Sequence, residues 1–318
     1  MKNLILVAGE SLIDMIPAGG GCESYQAIPG GSPYNVAMAL GRLGMSTGFL
    51  GCFSRDHFGE RLREGLLASG VDLSFSKRVA SLSTIGFVTQ LEGKSGPDYA
   101  FYTKGTAGCE LEVDDFTNPL VSKIRMLHVG SFSLAVEPFA SAVENLIFGQ
   151  DHSGRLLAMD INVRPFLVGN RESFIARMDR FAGAVNLVKL SDEDLAWLYP
   201  GWSLEKGCEH YLGLGADLVV VTRGAAGVFA ANRRGTVEVS APSVEVIDTV
   251  GAGDTFQANM LASLFDLDCF SGEELASLDA DAVRLILERA GKAAALNCCR
   301  QGCQPPTREE LEGIDSRF

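Results

Sequence analysis

Six short apolar, β-branched runs punctuate the chain: Leu4 to Ala8, Thr47 to Gly51, Met126 to Val129, Leu156 to Asp160, Val185 to Leu190 and Leu218 to Thr222. Runs of this kind carry no polar face, so each has to be covered on both sides, as the strands of a parallel sheet are. The covering helices are written between them, at Pro33 to Leu43, Phe58 to Ser69, Pro138 to Gln150, Ser173 to Gly183, Glu205 to Leu214 and Ala252 to Phe265, with a longer one at Asp281 to Cys298. This rhythm predicts a single α/β domain over 1–318, a doubly wound, mainly parallel sheet with helices on both faces.

Two segments break the rhythm. Leu12 to Ile28 and Thr84 to Thr103 read as strands with no helix between them: Ile85, Phe87, Thr89 and Leu91 alternate, and Tyr99 to Tyr102 follows a Gly93-Lys94-Ser95-Gly96 turn. They are expected to pair as a small β-sheet lid, about 12–28 and 84–104, over the carboxyl ends of the parallel strands, where open α/β sheets bind ligands. Exposed strand edges seek partners, so a homodimer through the lid is expected.

Lys and Arg total 27 against 40 Asp and Glu, a net charge of −13, which lacks the basic footprint of a nucleic-acid binder. Leu4 to Ala8 is too short for a signal-peptide core, and no run reaches membrane-spanning length, so a soluble, cytoplasmic protein is expected. Eight cysteines without a C-x-x-C pair read as reduced thiols, and the Cys298, Cys299, Cys303 group has no histidine nearby to complete a metal site.

The chemistry concentrates in Asp248-Thr249-Val250-Gly251-Ala252-Gly253-Asp254, between the alternating Val244, Val246, Ile247 and the helical stretch Thr255 to Phe265. This reads as strand, turn and helix start. Glycines let successive N–H groups converge on an anion at the positive end of a helix, and Asp254 in the first turn is read as a catalytic base beside that anion hole. Two rival motifs fail. A dinucleotide fingerprint needs a third glycine where Phe256 stands, and a P-loop ending at Gly93-Lys94-Ser95 needs a glycine at Val88. Asp14, between Ile13 and Met15, is an acidic side chain among strand apolars and needs a partner or a ligand.

Gly30-Gly31-Ser32-Pro33-Tyr34-Asn35-Val36-Ala37, Gly41-Arg42-Leu43-Gly44, and Gly51 with Asp56 and Gly59 together resemble the first signature of the ribokinase-like (PfkB) carbohydrate kinases; Asp248 to Asp254 resembles the second. Asp160-Ile161-Asn162-Val163-Arg164, Lys189-Leu190-Ser191, Thr222-Arg223-Gly224 and Gly302-Cys303 extend the resemblance over essentially the whole chain, which is most similar to the fructokinases of that family. The resemblance implies an ATP-dependent sugar kinase using Mg²⁺, with K⁺ as a further cation. In such an enzyme Asp254 is the base and the backbone of Gly251, Ala252 and Gly253 neutralises the transferring phosphoryl group.

It further implies sugar contacts from Asp14, Gly31, Asn35, Phe101, Asn162 and Arg164. Nucleotide contacts fall to Lys189, Thr222, Gly224, Gly227 and, at the adenine edge, Asn297. Asp248 would hold the monovalent cation. The competing readings are a helix-start cap for Asn35, a surface ion pair for Arg164 and a simple turn aspartate for Asp248. The family's Asn-x-x-Glu magnesium motif stands here as Ser191-Asp192-Glu193-Asp194, which transfers the carboxylate to Asp194. After Phe101-Tyr102 the chain reads Thr103-Lys104, without the arginine that many relatives carry; a lone lysine is a point charge rather than a bidentate carboxylate grip, which favours a neutral ketose such as fructose over a sugar acid. The alternatives are a 2-keto-3-deoxygluconate kinase, a nucleoside or riboside kinase, and a non-catalytic sugar sensor on the same fold.

Overall fold

The computed structural model describes residues 3–18, 24–89, 98–111, 122–149 and 152–313. In chain order the strands are β1 (Leu4–Ala8), β2 (Leu12–Pro17), β3 (Tyr25–Gly30), β4 (Thr47–Leu50), β5 (Cys52–Ser54), β6 (Lys77–Val79), β7 (Ile85–Thr89), β8 (Asp98–Tyr102), β9 (Ile124–Gly130), β10 (Leu156–Asp160), β11 (Leu187–Ser191), β12 (Leu218–Thr222), β13 (Val228–Asn232) and β14 (Gly235–Val239). The helices are α1 (Ser32–Arg42), α2 (His57–Ala68), α3 (Phe139–Phe148), α4 (Arg171–Ala182), α5 (Asp192–Leu198), α6 (Leu204–Leu214), α7 (Ala252–Asp266), α8 (Gly272–Ser277), α9 (Ala280–Cys298) and α10 (Arg308–Glu312).

Eight strands form the central sheet in the order β14-β13-β12-β11-β10-β9-β1-β4. Pairing is parallel from β12 to β4, and β13 and β14 close one edge antiparallel. Successive side chains alternate faces, so each strand feeds two cores. Ile5 and Val7 of β1 join a core with Val36 of α1, Met260 of α7 and Val283 of α9. Leu4, Leu6 and Ala8 join the opposite core with Val143 of α3, Phe181 of α4 and Tyr211 of α6. Helix α7 is buried at every position from Asp254 to Leu264; Asn259 and Ser263 turn their polar groups back to the carbonyls of Thr255 and Asn259.

A second sheet, ordered β3-β2-β7-β8, stands apart from the first. Its register sets Asp14 opposite Ile28 on one side and Gly86 on the other, with Gly86 opposite Phe101. Only three residues, Gly9 to Ser11, separate β1 from β2, so this sheet rises directly from the carboxyl edge of the main one.

Two features depart from the sequence expectation. The Val244, Val246, Ile247 alternation is not a strand: β14 already takes the sheet edge, and the run instead lies along the end of α9, with the Ile247 N–H donating to the Cys298 carbonyl at 2.8 Å. Val246 and Ile247 are accordingly exposed. The β13–β14 hairpin, whose turn is Arg233-Arg234, has no counterpart in the sequence reading. The Gly93-Lys94-Ser95-Gly96 turn, Leu91, Cys22 and Gln150 lie outside the described residues.

Because α7 packs on all sides, truncation there leaves a cavity that neighbours cannot fill. Leu261, fully buried, is expected to destabilise the protein by about 2–5 kcal/mol when replaced by alanine. Leu285→Ala, at a residue 69% exposed on α9, is expected to stay within about 0.5 kcal/mol. Denaturant unfolding of the two variants checks the contrast.

Candidate active site

Helix α7 begins without a side-chain cap. Its N-cap is Gly251, at φ 76° in the left-handed region, and a Cβ there would lie 2.3 Å from the Cys303 sulfur. Neighbouring side chains tie the turn down. Asp248 accepts the Val250 N–H at 3.0 Å and the Gly302 N–H at 2.8 Å. Asn297 donates to the Val250 carbonyl at 2.7 Å and accepts the Gln304 N–H at 2.8 Å. The Ala252 N–H turns back to the Thr249 carbonyl at 3.2 Å. Among the described residues no acceptor is found for the N–H groups of Gly251, Gly253 and Asp254, which stand at the positive end of the helix where an anion binds.

Asp254 is buried in the first turn. The Ser32 hydroxyl donates to its Oδ1 at 2.6 Å and the Asn35 amide to its Oδ2 at 2.8 Å. Burial pushes its carboxyl above the ordinary value, against the pull of those two donors and of Lys189 and Arg164. Beneath the turn, Lys189 Nζ pairs with Asp160 Oδ2 at 2.7 Å with both side chains buried, and the ammonium lies 3.3 Å from where a Cβ on Gly253 would stand. Burial raises the Asp160 carboxyl while the ammonium pulls it back.

The second sheet brings Asp14 into the same field. Burial lifts its carboxyl to about 6; Arg164 pulls it down and Asp254 pushes it up. Its Oδ2 is so close to Gly30 that a Cβ there would lie 2.2 Å away. Arg164 is half-buried and oriented by Asn162, whose Oδ1 accepts from its guanidinium at 2.6 Å and whose backbone has φ 41°. Its charge acts on both carboxylates, which a surface ion pair would not do. Gly31, at φ 105°, caps α1, and a Cβ on it would meet the Glu10 carbonyl at 2.9 Å. Asn35 does not cap its own helix: its amide reaches Asp254, and its buried Oδ1 finds no partner among the described residues. Phe101 stacks on Phe166 with ring centroids 5.2 Å apart and meets Phe132 edge-on.

On the other side of the turn, Thr222 ends β12, and Gly224 and Gly227, at φ 52° and 91°, shape the turn into β13. Three residues that the sequence reading placed at the nucleotide and the cations are engaged by backbone. Asn297 is fully buried with both ends of its amide engaged by backbone, which ties it to the glycine turn. Asp194 accepts the Val163 N–H and the Ser191 N–H, each at 2.8 Å, as the last member of a capping box on α5. Asp248 is a turn aspartate whose two oxygens both take amides. Among the described residues no group of three or more His, Cys, Asp or Glu could hold a metal ion.

Ser32 and Asp160 belong to the site although the sequence reading gave neither a role. Ser32 sits in a Gly-Gly-Ser-Pro stretch that reads as a turn, and Asp160 reads as a strand end. Their partners are 222 and 29 residues away, a distance no local pattern spans.

Residues 2–310 match the pfkB family of carbohydrate kinases. A fructokinase from Rhizobium leguminosarum bv. trifolii is 39% identical over 283 residues, 88% of this chain and 86% of that protein. The crystal structure of a fructokinase from Xylella fastidiosa with bound ATP is similar at TM-score 0.90 and 27% identity, covering 99% of this chain and 98% of that one. A fructokinase double mutant from Vibrio cholerae O395, in its fructose, ADP and potassium ion bound form, is similar at TM-score 0.84 and 26% identity, covering 98% and 97%.

Two outcomes follow from this geometry. Gly251→Ala forces a left-handed φ and a clash with Cys303 together, and denaturant unfolding is expected to show a loss of about 1–3 kcal/mol. Asp14 binds its proton more tightly folded (about 6) than unfolded (3.8), so its contribution to stability is lost as pH rises from about 4 to 6. Asp14→Asn is therefore expected to raise the unfolding temperature at pH 7 and to change it little at pH 3.5, read by thermal melts at both pH values.

Proposed function

Because the chain belongs to the pfkB family of carbohydrate kinases, we propose that it is an ATP-dependent sugar kinase that transfers the γ-phosphoryl group to the primary hydroxyl of a neutral ketose, converting fructose to fructose 6-phosphate. The observation that carries this reading is the Asp254 constellation: a buried carboxylate gripped at both oxygens, in the first turn of a helix whose leading amides face no acceptor among the described residues. The similar structures with bound ATP, or with fructose and ADP, support donor and acceptor.

Phosphoryl transfer is mostly positioning and charge stabilisation. The amides of Gly251, Gly253 and Asp254 would receive the transferring group, with the Lys189 ammonium beneath them. Asp254 takes the proton from the attacking hydroxyl. Asp14 and the Oδ1 of Asn35 present acceptors to sugar hydroxyls, and the Phe101–Phe166 pair offers an apolar wall to the sugar's C–H face. Asp14 and Asp254 share the field of one guanidinium, Arg164, while Lys189 is matched by Asp160. That balance leaves the acceptor side negative and favours a neutral polyol over an anionic one. Asp194 would face the magnesium ion and Asp248 the monovalent cation with the lone pairs left beside the one backbone amide that each carboxylate oxygen accepts; magnesium in such a reaction is carried largely by the phosphates.

The second sheet is read as the lid over the acceptor. Its face away from Asp14 carries Tyr25, Phe87 and Tyr102 edge to face, with Tyr102 64% exposed, and a second copy of the chain would cover these rings. A sedimentation run tests that dimer.

A panel of sugars with ATP and Mg²⁺, read by ADP release, is expected to give fructose the highest kcat/KM, with ribosides and 2-keto-3-deoxygluconate far behind. Asp254→Asn is expected to keep fructose and ATP binding by calorimetry while turnover drops by roughly 100- to 10,000-fold. Near-normal turnover of that variant removes Asp254 as the base, and sugar binding with no ADP release from any acceptor removes the kinase reading.

A further inference from the structure

Most longer helices of this protein begin with a side chain that accepts from their own backbone: Asp56 on α2, Asn170 on α4, Ser203 on α6 and Asp279 on α9. Helices α1 and α7, which meet at Asp254, do not; both are capped by glycines without a side-chain bond. Ser32 is the first residue of α1, one position past the cap from which a hydroxyl would serve its own helix. It is 6% exposed, and its hydroxyl crosses instead to Asp254. Ser32 and Asn35 are three apart and so share one face of α1, and each holds a different oxygen of the carboxylate. A carboxylate held at one oxygen can rotate about its C–C bond; held at both, it has one orientation.

We infer that Ser32 is a positioning residue for the transfer: its hydroxyl fixes and stabilises the ionised carboxylate of Asp254, so that the remaining lone pairs meet the acceptor hydroxyl in the basic form. The inference rests on the reading of Asp254 as the base. Titratable groups face Asp254 from several elements: Lys189 from β11 and Arg164 from the segment after β10 favour its charge, while Asp14 of β2, Asp160 of β10 and the buried, neutral Cys303 thiol in turn feel that charge. Ser32 and Asn35 are the groups that also fix direction, because a hydrogen bond has a geometry that a distant charge lacks.

Removing a donor from a carboxylate raises its proton affinity. Ser32→Ala in the full chain, assayed with fructose and ATP across pH 5 to 9, is therefore expected to move the acidic limb of kcat upward by about one pH unit. Plateau kcat is expected to fall about 3- to 10-fold, and the KM for ATP to change less than about twofold. Ser32→Thr, which keeps the hydroxyl, is expected to return the limb toward its original place. Should the alanine variant fail to fold, Ser32→Cys, a weaker donor of similar size, is expected to move the limb in the same direction by less. If Asp254→Asn is inactive but the limb of the folded Ser32 variants stays where it was, Ser32 only packs and the inference is overturned while the base survives. An active Asp254→Asn overturns both.

Discussion

A carboxylate taken out of water needs donors, and at Asp254 the donors come from the other end of the chain. Ser32 and Asn35 reach it from α1, so the junction of α1 and α7 joins the two signature regions of the sequence. Other features of the site are arranged around it. Gly31 lets α1 start against the Glu10 carbonyl, and Gly251 lets α7 start against Cys303. Asn297 and Asp248 hold the turn between them. Removing one donor from such a buried group leaves a penalty larger than the bond itself is worth.

The strand order distributes labour along the carboxyl edge. Strands β10, β9 and β1, with the second sheet above, gather Arg164, Asn162 and Asp14; strand β12 and the turn into β13 stand on the far side of β11. Lys189 occupies the boundary, one strand from each group, and its pairing with Asp160 keeps a cation under the anion turn without leaving a lone charge in the interior. Asp14 carries its proton more readily folded than unfolded, so its ionised carboxylate works against stability at neutral pH.

Much of the fold was legible in the sequence because its strongest signals are local. Three of the six apolar runs, Leu4–Ala8, Leu156–Asp160 and Leu218–Thr222, coincide with strands to the residue, since short apolar segments between helices have few other fates. The Val244 to Ile247 run misled because alternation alone does not say whether an edge is vacant to receive a strand. Within the site, glycine spacing marked the turn that opens α7, whose leading amides find no acceptor among the described residues. What pattern could not show were side chains whose duty is set by a distant partner: Ser32, which looks like turn chemistry, and Asn297 and Asp194, whose polar groups serve backbone. Residue type announces a donor or an acceptor; burial decides for whom.

Helix α7 is enclosed over most of its length, and this separates what the protein can change from what it cannot. On the proposed kinase reading, the base rides on an element that has no room to slide, tilt or re-register without disturbing its packing. Adaptation to a differently shaped acceptor is thereby confined to the outlying four strands and the segment bearing Arg164, where substitutions disturb few neighbours. Chemistry is anchored in the bulk of the molecule and recognition in its margins, so a new appetite can evolve while the reaction itself stays as it was.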